Sequence, residues 1–151
     1  MSQADDLIQR LDRFAAAMES MLTPRSSRWH SLRFASPALE EDDTAKRWLE
    51  QVTDLLFRVR YGPFAAFASN LHEAYVSLGA FGTQVIYTEE GFDRAPIHYR
   101  ALHIGECFLE TDFTGRVDTV YRRFELSARQ TAQKWGEQKL SPKLSRALEK
   151  D

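Results

Sequence analysis

Apolar residues fall at three- and four-residue steps in the first segment. Leu7, Leu11, Phe14, Ala15, Met18 and Leu22 share one face, which predicts a helix. Asp5 and Asp6 sit in its first turn, where carboxylates favour the positive end of the helix dipole, and Thr23-Pro24 ends it. Past the Arg25-Ser26-Ser27 loop, Trp29 to Phe34 alternates large apolar and polar residues, which predicts a short strand with one buried face. Ser36-Pro37 breaks the chain again. The acidic run Glu40-Glu41-Asp42-Asp43 marks a helix N-terminus, with one aspartate or Thr44 near the cap. Trp48, Leu49, Val52, Leu55, Leu56 and Val59 form the stripe of that helix, and Arg58 and Arg60 close it. Gly62-Pro63 is a break and restart. Phe64, Phe67, Ala68, Leu71, Ala74, Tyr75 and Leu78 predict a third helix, with Gly79 placed as its C-cap.

The period then changes to two. Gln84–Thr88, Ile97–Leu102, Cys107–Glu110 and Val117–Phe124 read as strands, and Asp112-Phe113-Thr114-Gly115 as a tight turn. The connections are too short for parallel crossovers, so an antiparallel meander is expected. Ser127 and Gln130 make a capping box that opens a helix through Ala132 and Trp135, stopped by Gly136. Ser141-Pro142 opens a short last helix to about Glu149. The expected class is α+β, with helices packed on a small, mainly antiparallel sheet of about four to five strands. One domain is expected over residues 1–151. Its stretches are 1–35 (helix and short strand), 40–79 (helix pair), 83–125 (meander) and 127–150 (C-terminal helices).

Composition narrows the function classes. With 151 residues and 43% apolar content the chain can bury a real core. No apolar run reaches the roughly 20 residues a membrane helix needs, and the polar, acidic N-terminus is unlike a secretory signal. A single cysteine, Cys107, excludes an intrachain disulfide and fits a reducing compartment. Charge is uneven: residues 36–115 carry 6 basic and 13 acidic side chains, residues 116–151 carry 9 and 5. The basic tail is too sparse for strong free-standing nucleic-acid binding.

No catalytic constellation stands out. His103 and Cys107 lie across a strand break and would need two more ligands to hold a metal. His72-Glu73 resembles half a zincin motif, with no second histidine at the required step. Cys107, in a strand beside Glu106, reads as a buried structural thiol. Glu89, Glu90 and Asp93 read as solvated loop charges. Arg122-Arg123 is a basic pair inside an apolar strand, where neighbours point to opposite faces. No catalytic, cofactor or metal residue is assigned, and no cofactor is expected.

One run is more informative than its physics. Gly115-Arg116-Val117-Asp118-Thr119-Val120-Tyr121-Arg122-Arg123-Phe124, with Leu126 to Gln130 after it, resembles the signature of the head-to-tail connecting (portal) proteins of short-tailed bacteriophages. Leu22-Thr23-Pro24 through Trp29, Leu71 to Tyr75, Leu78 to Thr83, and His103-Ile104-Gly105-Glu106 resemble further family segments in the same order, with His103 where the family carries proline. The likeness covers about residues 10 to 150. Portal subunits are several hundred residues long, so the resemblance implies part of the outer α/β wing, as a fragment or a truncated prophage product.

The resemblance implies a structural subunit, not an enzyme, of a dodecameric ring through which DNA is packaged and ejected. The implied partners are other portal subunits, capsid and tail proteins, the terminase and channel DNA, with no membrane. The implied location is the virion, or the bacterial cytoplasm when expressed from a prophage. Asp118, Arg122 and Arg123 are then candidates for holding the wing fold or a neighbouring subunit, with local ion pairing as the plainer reading. Gly79 and Gly82 are candidates for backbone geometry at the helix-to-strand turn. The isolated piece is expected to be a monomer or small oligomer. The alternatives are a stand-alone bacterial α+β ligand-binding protein or enzyme, with a cleft near His72, His98 or His103, and duplex DNA binding by the basic tail.

Overall fold

The computed structural model describes residues 3–91 and 95–148. They fall into two compact units, divided between Gly105 and Glu106.

The first unit holds α1 (Gln3–Leu22), the single-turn α2 (Pro37–Glu40), α3 (Asp43–Arg60), α4 (Phe67–Phe81) and the strands β1 (Val85–Glu90) and β2 (Ile97–Leu102). Asp42 caps α3 by accepting from the amides of Thr44 and Ala45, which holds its carboxyl below the usual aspartate range. Helix α1 packs along α4, and α4 in turn covers β2. Gly79 lies inside α4, where a Cβ would come within 2.8 Å of the Phe14 ring of α1. Its lack of a side chain lets the two helices approach.

The core is small and aromatic. Ala15, Ala65, Phe67, Leu71, Tyr75 and Tyr99 are buried together, and Met18, Trp29, Tyr61, Ile86 and Ile97 pack around them. Strands β1 and β2 pair antiparallel with Thr88 opposite Tyr99 and Ile86 opposite Ala101. On the outer side of β2, the Tyr99 amide donates to the Ala65 carbonyl at 2.9 Å, and the Ala101 amide to Asn70 Oδ1 at 2.8 Å. That edge of the hairpin is therefore closed by the α3–α4 corner and by α4 itself.

The second unit holds β3 (Cys107–Thr111), β4 (Val117–Arg122), α5 (Ala128–Trp135) and α6 (Pro142–Leu148). The capping box is present in full: Gln130 N donates to Ser127 Oγ, and Ser127 N to Gln130 Oε1. Gly136 closes α5, as its position in the sequence predicts.

The α+β class holds, with corrections. Among the described residues four strands form two two-stranded ladders, not one meander of four to five. Trp29–Phe34 has strand-like alternation but no strand partner. The Leu32 amide donates instead to Thr53 Oγ1 of α3 at 3.3 Å, and Trp29 Nε1 donates to the Tyr61 hydroxyl at 3.0 Å. Helix-facing side chains supply what a ladder would.

Helix α4 starts at Phe67, not Phe64. The Gly62–Ala65 turn intervenes, and Ala66 takes a left-handed conformation (φ 55°) that separates the two helices. Helix α4 also runs past Gly79. Its left-handed C-cap is Gly82 (φ 74°), whose amide donates to the Leu78 carbonyl at 2.8 Å. Trp48 and Leu55, expected on the α3 core stripe, are exposed; Thr53 is the buried residue of that helix. Asp93 lies outside the described residues.

Two substitutions isolate these backbone positions. Gly82→Ala adds a Cβ that meets no atom within 4 Å, so its expected cost, about 1 kcal/mol, is left-handed strain alone. Ala66→Gly relieves the same strain against the extra chain entropy of glycine, and is expected to be neutral to stabilising by up to about 1 kcal/mol. Urea unfolding of the two variants should move the midpoints in these directions at an unchanged slope.

Candidate functional site

The signature run folds as the end of the β3–β4 turn, strand β4 and its exit, and pairs with β3 as a hairpin. Asp112 builds the turn: its Oδ1 accepts from the amides of Thr114 and Arg116 and from the Thr114 hydroxyl. Those donors hold the Asp112 carboxyl below the usual aspartate range, the Thr114 hydroxyl most strongly. Gly115 takes the left-handed conformation the turn requires (φ 83°) and donates its amide to the Asp112 carbonyl at 3.0 Å.

The ladder pairs Cys107 with Arg122, Phe108 with Tyr121, Leu109 with Val120 and Glu110 with Thr119, then slips so that Thr111 faces Val117. Asp118 is the extra residue of this bulge. Side chains alternate across the hairpin, so Leu109 and Val120 share one face and Phe108 and Tyr121 the other. Each cross-strand pair is apolar, and all four side chains are exposed, Phe108 by 56% and Tyr121 by 59%. Phe113 at the turn is fully exposed. A two-stranded hairpin with apolar residues bare on both faces is a contact surface awaiting cover.

Arg122 is the anchored residue of the strand. Its guanidinium donates through Nε and pairs through Nη2 with Glu106 Oε2, at 2.9 and 2.8 Å. Its Cζ lies 4.5 Å from the centroid of the Phe124 ring. Lys134 of α5 also lies over Phe124 and over Trp135, at 5.9 and 5.3 Å. Arg122 thus ties the entry of β3 to the exit of β4 and to the start of the α5 segment. The Arg123 amide extends the ladder by donating to the Glu106 carbonyl at 2.8 Å, while its side chain is exposed. Asp118 is exposed at the bulge. Of the charged candidates, then, Arg122 has a fixed partner, and Asp118 and Arg123 present their charges outward. Gly79 and Gly82 lie in the first unit, at the α1 contact and the α4 cap.

The three candidate histidines, His72, His98 and His103, are dispersed. His72 of α4 sits 3.5 Å from Glu19 of α1. His98 of β2 sits 3.7 Å from Glu89, which also pairs with Arg100 at 2.5 Å. His103 accepts from the Gly105 amide and meets the edge of Phe81. Glu89, expected as a solvated loop charge, is therefore a strand residue enclosed in an ion-pair cluster. Cys107 is half-buried on β3, not the buried thiol expected, and the next two residues of its strand, Phe108 and Leu109, are exposed. No group of three or more possible metal ligands occurs among the described residues.

Residues 8–151 match the model of the bacteriophage head to tail connecting protein family. This chain belongs to that family. Among its relatives are the "Probable portal protein" of Bordetella phage BPP-1 and the "Portal protein" of Salmonella phage epsilon15. The first is 33% identical over 129 residues, which is 84% of this chain and 22% of the relative. The second is 30% identical over 126 residues, 81% and 21% respectively. The chain spans about a fifth of the length of these relatives. Family membership favours the connector reading over a stand-alone ligand-binding protein or enzyme.

Sequence reasoning did not single out Glu106 and Phe124 as the contacts of Arg122, or Lys134 of α5 as a second cation over Phe124. The signal for Glu106 was its place just before β3, which pairing with β4 brings opposite the signature arginines.

Arg122→Ala is expected to weaken protection of the β3–β4 amides by about 1 kcal/mol, the size of a partly exposed ion pair with a cation–π contact. Arg123→Ala should leave it unchanged. Hydrogen exchange distinguishes the two. Lowering the pH through and below the ordinary aspartate range should separately loosen the Thr114 and Arg116 amides. The depressed Asp112 carboxyl contributes above its unfolded value, and that contribution is lost as it protonates. Asp112→Ala should abolish this acid step.

Proposed function

We propose that this chain is the wing-like part of a phage portal subunit, acting through shape and contact surface with no covalent chemistry. The observation that carries the reading is a conjunction. The family match spans residues 8–151, and the signature-like run within it forms the second strand of a hairpin with apolar pairs bare on both faces. An uncovered double-sided hairpin suits a piece whose neighbours are other parts of a subunit or adjoining subunits, and it offers no enclosed site for a substrate.

In this reading the partners are other portal subunits in a ring, with capsid and tail proteins, the terminase and the DNA in the ring channel. The location is the virion. Asp118 and Arg123 contribute outward charge beside the apolar pairs, as rim residues do at a protein interface. Arg122 keeps the hairpin in register. Gly79 and Gly82 set the helix packing and the helix-to-strand turn that carry the unit.

A chimera tests the proposal directly. The matching segment of the Bordetella phage BPP-1 portal gene is replaced by this chain, and particles are scored by electron microscopy and infectivity. Rings and infectious particles are expected. A stable, folded chimera that forms no rings would overturn the reading. By itself the chain is expected to run as a monomer or small oligomer in light scattering, because most of a portal subunit lies outside it. A stable large ring would contradict that.

A further inference from the structure

The segment 24–35 crosses α3 as a strap with no strand partner. A few side-chain contacts hold it. Trp29 donates to Tyr61, whose hydroxyl donates to the Thr23 carbonyl at 2.8 Å. The Leu32 amide reaches Thr53, Arg28 pairs with Asp54 of α3 at 2.7 Å, and Phe34 stacks on Trp48 at 6.4 Å. His30 lies at the centre. Its ring stacks on Phe57 of α3 at 6.0 Å and packs against Trp29 at 4.6 Å.

The polar surroundings of His30 suit only a neutral imidazole. Its Nδ1 faces Nη1 of Arg60 at 3.5 Å, so Nδ1 is the acceptor and the guanidinium the donor. Its Nε2 is buried with no hydrogen-bond partner. Arg60 is itself fixed, lying over the rings of Trp29 and Phe67 at 5.1 and 5.3 Å and donating to the Tyr99 hydroxyl at 3.3 Å. It cannot swing away without leaving the core. The other charges nearby are Arg28, on the strap, and Asp54, on α3, which are paired with each other. Arg25 lies farther along, over the Tyr61 ring at 5.9 Å. Tyr61 and Tyr99 add neutral hydroxyls.

We propose that His30 is an acid-released latch: protonation sets an imidazolium against the Arg60 guanidinium with no acceptor for either ring N–H, and the strap 24–35 leaves α3 while the α1–α4–β2 packing remains. The sign follows from the surroundings. Burial first, then the charges of Arg60 and Arg28, hold the His30 pKa below its ordinary value. The docked state therefore binds fewer protons than the released one. Docking is fully favoured above the ordinary histidine range and is lost as pH falls through it towards the depressed value.

The test uses the full chain carrying Trp48→Phe and Trp135→Phe, so that Trp29 is the sole indole. Its emission is followed from pH 7.5 to 5 alongside far-UV circular dichroism. The expected result is a shift of Trp29 emission to longer wavelength with the helical signal retained. His30→Phe, which keeps a ring for stacking and removes the proton site, should show a flat profile. The same step in His30→Phe, or no step in the parent, would overturn the proposal. Should His30→Phe fold poorly, an NMR titration of the His30 ring in the parent decides. A midpoint below the ordinary histidine value, coincident with the Trp29 step, supports the latch; a midpoint at or above it rejects the latch.

Discussion

Phe67 is the point on which the first unit depends. Its ring meets Tyr99 of β2 edge-on at 4.9 Å, Tyr61 just past α3 edge-on at 5.3 Å, and Trp29 of the strap in a stack at 6.2 Å. The Arg60 guanidinium lies over it as well. Three other segments, β2, the end of α3 and the strap, thus converge on the first residue of one helix. The left-handed Ala66 just before it sets the direction of that helix, and the Ala65 carbonyl binds β2. A core with few buried aliphatic side chains can be ordered this way because aromatic edges and faces have preferred geometries, and buried hydroxyls such as those of Tyr61 and Tyr75 find partners.

What the sequence made legible follows from range. Helix caps at Asp42 and Ser127 and the Asp112–Gly115 turn are set by neighbours within four residues, and they were readable. Periodicity revealed the helices because their stripes repeat. What failed was decided by partners far along the chain. Alternation at Trp29–Phe34 predicted a strand with one buried face, yet the segment forms no strand and its contacts go to Thr53 and Tyr61. Gly79 carried a cap's signature, but its lack of a Cβ answers to Phe14 of α1, and the true cap lies three residues on. The meander failed because short connections fix antiparallel pairing within each hairpin and say nothing of whether hairpins join each other.

The candidate surface was legible for a different reason. Resemblance pointed to the β4 run, and the alternation of Val120, Tyr121 and Arg122 placed apolar groups on both faces. Their exposure could not be read from the sequence, because apolar strands are ordinarily counted as core. Here a strand pair whose apolar side chains are exposed on both faces separates composition from burial. Its order comes from the turn at Asp112 and the clamp between Glu106 and Arg122 at its open end.

The closed outer side of β2 has a directional consequence. With the Tyr99 and Ala101 amides already spent on Ala65 and Asn70, that hairpin can be lengthened sideways only along β1, at the outward backbone groups of Ile86 and Thr88. Any sheet that grows from this unit must grow one way, and the α3–α4 corner acts as its end-stop.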